Sequence, residues 1–581
     1  MVEMKTRGRL ISIIGGVIAL LLLAAISGCS AHHIKYKPGT VRTDDHDRQT
    51  VAQPDVADPV LAWQSLDKTV WRQGEELLDI DRDFRKLFGR PKEAFNINRF
   101  DEVPNSSWFT NRIGFGDISA DSLLSSAADF DGPDTAGVWT VFRHKEQGQM
   151  PGLWIKDARG QSYIIKFDPA TNPEMHTAAT AMGARYFHAC GYNVPEETIV
   201  NWRPELLRLE PGIKFVDDSG NRREMQQADL DAILERADKL PDGRIRSLAS
   251  KMLGGAIIGP FEYEGKRTDD PNDWCQHENR RELRALYVVA SFINHYDTKD
   301  QNTLDTYIEE NGQSYVKHHL IDFGSTFGSN GDRPKDATVG YCNTFDLRDV
   351  VVSWFTLGLK KWGWEDAKPF QYQSIGYFES EIFQPNKWNP IVPNPAFENM
   401  TPRDAYWGAK IVMAWRDEEI RKLVETGQYS DEAAKEYLVK TLIERRDKIG
   451  RYWFARVAPL DDFDFTYDAS ESSIRFSDLS VKYGLDKGET TKYQLSVRHG
   501  GKTVVKSREF VAAEFALAAA DQQAMTQDFH SNKAAEDSEH LYEVRISVKR
   551  ANSSWSNPAA LWLWYHPDES RFELVGIEHL D

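Results

Sequence analysis

The sequence predicts an α+β chain that holds more than one domain and ends in a β-rich module. Three observations carry this reading. At 581 residues the chain is too long for a single hydrophobic core. Between about residues 138 and 200 the pattern runs hairpin, helix, strand, and residues 345–456 read as mainly helical. Beyond Pro459, short alternating segments with Gly- or Asp-containing turns take over.

Composition sets limits on function. Hydrophobic residues make up 41% and charged residues 28%, ordinary values for a folded soluble body. A formal charge of -18 argues against nucleic acid as a partner, because neutralising phosphates takes clustered Lys and Arg. Cys29, Cys190, Cys275 and Cys342 match no zinc or redox spacing. The last three read as buried small hydrophobes, or as one bridge plus a free thiol.

The N-terminus has Lys5, Arg7 and Arg9 ahead of an apolar run over 10–27 that closes in Ile26-Ser27-Gly28-Cys29. Basic residues, a short apolar segment and small residues make an export signal. A single membrane anchor is the competing reading, since such a run nearly spans a bilayer. The last four residues resemble the lipobox of bacterial lipoproteins. That resemblance implies removal of 1–28, lipidation of Cys29 and anchoring in a bacterial cell envelope, with Ser30 pointing to the outer membrane. Acyl chains on one cysteine suffice for stable anchoring. Residues 29–59 hold few large apolar side chains and read as a flexible tether, with His32 and His33 solvated. An N-terminal extension, 60–137, follows. In it Trp63, Leu66, Val70 and Trp71 mark an amphipathic helix, and 105–116 reads as a packed loop.

In the body, Trp154-Ile155-Lys156, a turn at 157–160 and the segment 162–167 predict a hairpin. Tyr163, Ile165 and Phe167 share one face; Ile164 and Lys166 share the other. A helix follows, with Asn172 as N-cap, Pro173 in its first turn and Gly191 as terminator. Segments 229–240 and 244–252 read as helical, and 256–263 as a strand. The acidic turn 267–273 reads as a solvated loop with Asp273 capping a helix over 275–293. After a polar loop, 294–302, strands over 303–309 and 314–321 meet at Asn311-Gly312, a type I′ signal. A capped helix starts at Ser430 and ends near Tyr452. The C-terminal module, 459–581, predicts strands over 493–497, 502–507, 542–548 and 561–565 and a helical insertion over 513–524.

The chemistry concentrates in the loop His295-Tyr296-Asp297-Thr298-Lys299-Asp300-Gln301-Asn302 and in Asp322-Phe323-Gly324 beyond the hairpin. Phosphoryl transfer needs a carboxylate to orient the attacking hydroxyl, oxygen ligands for a divalent metal and a cation on the phosphates. This arrangement holds all three kinds of group.

The loop resembles the catalytic loop of protein kinases, where Lys follows the Asp by two residues and Asn by five; Asp297, Lys299 and Asn302 keep those spacings, and Asp322-Phe323-Gly324 matches the metal-binding triplet. The resemblance implies a two-lobed protein-kinase-like fold over 138–456, with an N-lobe at 138–200, a C-lobe at 201–456 and a sandwich-like module after it. It implies Asp297 as catalytic base, Lys299 as phosphate contact, and Asn302 and Asp322 as metal ligands. Lys166 is then the nucleotide lysine and Glu174 its helix partner, although a helix dipole alone favours Glu in a first turn. ATP or another nucleoside triphosphate, with Mg²⁺ or Mn²⁺, is the implied cofactor set.

The sequence also departs from the family. No Gly-rich loop of the usual form precedes Lys166, and 144–152, with Lys145, Gly148 and Gly152, is its substitute. Tyr296 replaces the usual Arg, and no Ala-Pro-Glu follows Asp322. The chain is therefore similar to atypical branches: HipA-like kinases, phosphoinositide kinases, secretory-pathway casein kinases and CotH-like kinases. Two functions follow from that. One is an extracytoplasmic kinase acting on an envelope protein, glycan or lipid acceptor. The other is a catalytically silent lipoprotein that keeps the fold as a scaffold. A hydrolase finds no support, since G-x-S-x-G and H-E-x-x-H are both missing.

Overall fold

The structure is a computed structural model that describes residues 35–57, 82, 85, 91–115, 122, 124, 132–144, 152–216, 222–343, 352–357, 359–531, 540–551 and 553–580. The export segment, Cys29, His32, His33 and the helix expected at Trp63 lie outside these residues.

The first sheet begins with β1 (Trp139–His144), β2 (Gly152–Lys156) and β3 (Ser162–Phe167). In the β2–β3 turn, the Asp157 carboxylate accepts the N–H groups of Arg159 at 3.0 Å and Gln161 at 2.9 Å. Next come α1 (Met175–Cys190), β4 (Glu197–Trp202), β5 (Leu207–Leu209), β6 (Lys214–Val216), β7 (Arg222–Glu224), α2 (Gln227–Glu235) and β8 (Ile245–Lys251). Six strands assemble in the order β4-β8-β3-β2-β1-β5. Tyr163, Ile165 and Phe167 enter a core with Trp139, Trp202 and α2, as the alternation predicts. The expected helix over 244–252 is instead β8. Residues 245 to 250 are all buried between β3 and β4, and a strand covered on both faces loses the alternation that marks an exposed one.

Helix α1 also starts later than expected. Glu174 occupies the N-cap in left-handed geometry (φ 67°), and Asn172 turns its amide to Gln373 at 2.7 Å. Gly191, at φ 116°, ends the helix as expected.

Then follow β9 (Ala256–Gly259), α3 (Arg281–Phe292), β10 (Thr303–Glu310) and β11 (Gln313–Leu320). β10 and β11 pair antiparallel through Asn311 and Gly312, both at positive φ as a type I′ turn requires. Asp273, expected to cap a helix at Cys275, instead binds Arg267 N–H at 2.6 Å and His277 at 2.8 Å; α3 begins at Arg281. Helices α4 (Pro402–Met413) and α6 (Glu432–Phe454) pack on α3, and α5 (Asp417–Glu425) packs on α6 and α1. Among the described residues of 359–394, a 3₁₀ turn at Gly363–Asp366 stands where helix was expected. Cys190, Cys275 and Cys342 are free thiols.

The C-terminal part holds β12 (Leu460–Thr466), β13 (Glu471–Asp478), β14 (Lys492–His499), β15 (Lys502–Phe510), β16 (Glu514–Ala518), α7 (Ala519–Ser531), β17 (Leu541–Lys549), β18 (Ala559–His566) and β19 (Arg571–His579). These strands form two sheets, β12-β13-β16 and β15-β14-β17-β18-β19. Ile474 and Leu517 of the first share one core with Leu495, Val544 and Leu561 of the second. The helical insertion begins later than expected, at Ala519, because 514–518 pairs with β13.

Residues 35–57 correct the tether expectation, for they run along the body. Tyr36 stacks on Trp562 at 4.8 Å, and its hydroxyl donates to Glu578 at 3.0 Å. Asp47 accepts the Ser107 hydroxyl at 2.7 Å. Val51 N–H donates to Ser314 O and Ala57 N–H to Ile258 O, each at 2.9 Å. Such a strap is held by hydrogen bonds, so its lack of large apolar residues does not leave it loose.

A buried ionic network ties the ends of the chain to α3. Asp101 accepts Arg281 at 2.6 Å, Arg403 at 2.8 Å and His579 at 2.8 Å. Asp404 accepts Arg281 at 3.0 Å and Arg284 at 3.1 Å.

Candidate active site

Lys166 comes from the face of β3 turned away from the sheet's apolar core. Its ammonium donates to Asp322 Oδ1 at 3.0 Å, across 156 positions of sequence. Burial opposes that charge. The Asp322 and Glu197 carboxylates outweigh it and hold the lysine pKa above its ordinary value.

Glu197, which opens β4, lies on the same sheet face. It pairs with Ser250, which pairs with Ile164, the same-face neighbour of Lys166. Burial pushes its carboxyl up to about 7, against the pull of Lys166. Sequence reasoning assigned this partnership to Glu174, and the structure corrects it. The Glu174 carboxylate accepts the N–H of Ser430 at 3.0 Å, at the far end of its helix cap. In sequence, Glu197 looked like any polar residue at a strand start.

The loop 294–302 leaves α3 and returns to β10. Asn302 donates from Nδ2 to the Asp297 carbonyl at 2.8 Å, closing the loop on itself. Its own carbonyl accepts Ile321 N–H at 3.0 Å, one residue before Asp322. Asn302 therefore joins the Asp297 loop to the Asp322 turn. Lys299 pairs with Asp297 Oδ1 at 2.8 Å. His295 is buried against Phe187 and Phe323, and burial lowers its pKa to about 4, so its ring is neutral at pH 7.

Asp322 is a non-glycine residue at φ 59°, a conformation held only where the surroundings enforce it. The enforcement comes from α1. Phe323 stacks on Phe187 at 5.1 Å, and Thr326 donates to Ala179 O at 3.0 Å. A Cβ on Gly324 would stand 2.4 Å from the His176 ring, so this helix face needs glycine there.

Two further groups escaped the sequence reading. Lys335 is buried, donating to Ser325 O at 3.1 Å, Phe327 O at 3.0 Å and also Asn294 O. Burial drives its pKa well below the ordinary lysine value. It clamps the 294–302 loop to the Asp322 turn, beside Tyr296 at 5.1 Å. Asp168, two residues after Lys166, accepts the Thr177 hydroxyl at 2.6 Å; Arg246 donates to that same hydroxyl at 2.9 Å and to Gly427 O at 2.6 Å. Neither residue belongs to a local pattern, and only the folded chain gives them partners.

The donor set suits a hard divalent cation. Asp322 keeps its side chain 45% exposed with one oxygen on Lys166, and the Asn302 amide oxygen is set by the bond from its nitrogen. Among the described residues no cluster of three or more His, Cys, Asp or Glu could hold a metal alone. A cation here would complete its shell with water and phosphate oxygens. The expected phosphate loop at 144–152 lies outside the described residues except for its ends.

No protein-family model matches the chain, and no curated protein matches it in sequence. Among solved structures it is similar to the Helicobacter pylori proinflammatory kinase CtkA, at 11% identity and TM-score 0.29, over 53% of this chain and 91% of that one. It is similar to the Golgi casein kinase with Mn/ADP bound, at 12% identity and TM-score 0.28, over 70% and 94%. An alpha kinase from Entamoeba histolytica is 13% identical at TM-score 0.15, over 40% and 81%.

Proposed function

We propose that this chain is an atypical, envelope-anchored phosphotransferase with a two-lobed kinase-like body. One observation carries the reading: Lys166 and Asp322 meet at 3.0 Å while Asn302 O accepts Ile321 N–H at 3.0 Å, so three separated sequence signals lie side by side. The sheet carrying Lys166 and the helices carrying Asp297 have separate hydrophobic cores, as two lobes flanking a cleft would.

In this reading Lys166 holds the phosphates of a nucleoside triphosphate, and Glu197 steadies that lysine. Asp297 orients the acceptor hydroxyl and takes its proton, with Lys299 placed to meet the transferred group. Asn302 and Asp322 would hold Mg²⁺ or Mn²⁺, which supplies neutralising charge on the phosphates. The acceptor is a hydroxyl of an envelope protein, glycan or lipid. Membrane attachment through Cys29 is supported by the sequence over 10–29.

The test is thermal melting of the purified protein with ATP, GTP or ADP, with and without Mg²⁺ or Mn²⁺. A ligand of the folded state alone raises the melting temperature by mass action, so millimolar nucleotide reveals even weak binding. A metal-dependent rise that disappears in Asp322→Ala supports the site. No rise with any nucleotide overturns it. Binding without turnover under all acceptors tried leaves the silent scaffold instead.

A further inference from the structure

We propose that a cavity beside the candidate active site, walled by α1, the start of β4 and the end of β11, binds a small phosphate-class oxyanion. The cavity encloses about 170 Å³, ample for such a group, since a water needs only about 10–15 Å³ of probe volume. Its wall carries three cations, Arg112, Arg185 and Lys317, together with His188, His319 and Glu197.

The hydrogen bonding of this wall is incomplete. Arg185 is buried at 6% exposure; it gives Nη1 to the carbonyls of Ala181 and Glu197, both at 3.1 Å, but its Nε has no partner. His319 shares Nε2 with the Thr306 hydroxyl at 3.0 Å and leaves Nδ1 unpartnered. Arg112 reaches only carbonyls, those of His188 at 2.6 Å and Tyr192 at 3.3 Å. None of the three cations forms an ion pair among the described residues. Glu196 also lines the cavity but pairs with Lys251 at 3.1 Å.

Taking cations out of water without full pairing is costly: burial pushes Arg112 down to about 10, and it lowers Arg185 and Lys317 despite the opposing pull of Glu197 on the first and Glu310 on the second. A tetrahedral oxyanion supplies the missing acceptors and the missing charge together, and guanidinium groups match its geometry. The cavity shares Glu197 with the candidate active site, but no residue of the 294–302 loop or the Asp322 turn lines it, so the anion site can be tested separately.

The experiment titrates the full-length protein, purified in detergent, with sodium phosphate at constant ionic strength, following heat by calorimetry. Constant ionic strength separates site binding from screening. Saturable binding is expected, weakened at least about tenfold in both Arg185→Gln and Lys317→Gln and unchanged in Lys166→Met. Lys317 is only half-buried, so its variant serves if Arg185→Gln fails to fold. No saturable binding overturns the proposal. So does binding indifferent to both substitutions, or binding lost in Lys166→Met, which would place the anion at the nucleotide lysine.

Discussion

Two ionic clusters in this molecule use the same residue types to opposite ends. Around Asp101, every charge meets an opposite charge out of water: Arg281, Arg403 and His579 surround one carboxylate, Arg281 and Asp404 are each 1% exposed, and only Arg403 Nη2 lacks a hydrogen-bond partner. Around Lys166, the pairing is partial. Asp322 keeps its side chain 45% exposed, and Glu197 Oε2 has no hydrogen-bond partner. The first cluster joins Asp101 and the C-terminal strand's His579 to α3, and its side chains are buried. The second holds charge in readiness for groups that the protein itself does not supply. A charge network sealed from water fixes a fold, and one with a half-exposed carboxylate marks a site.

The largest effect separating them is on turnover. Asp297→Asn keeps the shape of the loop but removes the proton acceptor, and phosphoryl transfer is expected to fall about 10²- to 10⁴-fold with the melting temperature nearly unchanged. A small loss of turnover would refute the role of Asp297. Asp101→Ala should do the reverse, costing about 3–5 kcal/mol of stability by stranding Arg281 and Arg403, as read from denaturant unfolding. If that variant unfolds like the parent, the network is not what joins the ends.

The pH dependence should differ in sign. Arg281, Arg403 and His579 overcome burial and hold Asp101 well below the ordinary carboxylate range. Its contribution is therefore present above about pH 4 and lost as pH falls through its folded value. Glu197 is raised from 4.5 to about 7 by burial. The unfolded chain releases that proton first, so stability from Glu197 falls as pH rises from about 4.5 to 7. In metal-free buffer, the melting temperature of Glu197→Gln should gain on the parent between pH 5 and pH 8. A constant difference across that range would show that Glu197 is not a buried carboxyl.

Smaller still is Gly324→Ala. The added Cβ meets the His176 ring at 2.4 Å, and the overpacking should cost about 1–3 kcal/mol in unfolding measurements. The smallest is Glu174→Ala, whose lost contact is an exposed acceptor for Ser430 N–H. Stability should change by about 0.5 kcal/mol or less, and turnover should stay within about twofold. A large loss of turnover would restore Glu174 as the partner of Lys166.

What the sequence could reveal followed from locality. Asp297, Lys299 and Asn302 lie within six consecutive residues, and the Asn311-Gly312 turn fixes the hairpin that brings Asp322 back to them. Lys166 was legible because the alternation of β3 put it opposite Tyr163, Ile165 and Phe167. The partner of Lys166 was hidden because it depends on β8, whose burial on both faces made it look helical. Without β8 between them, nothing joins β4 to the sheet of β3, and Glu197 has no reason to share the face of Lys166. The strap of residues 35–57 was hidden for a different cause. Its hydrogen bonds reach partners such as Ser314 and Ile258, which no local pattern connects to it.

That strap also sets a standoff distance. A chain lipidated at Cys29 has only residues 30–34 before Lys35 and Tyr36, and Tyr36 is already docked on Trp562. Five extended residues reach about 18 Å at most. If Cys29 carries the proposed lipid, the sheet that holds β18 would therefore ride close to the bilayer surface, and the body could not sample proposed acceptors deep in the surrounding space. Lengthening the segment between Cys29 and Lys35 would widen the shell of envelope that the site can patrol.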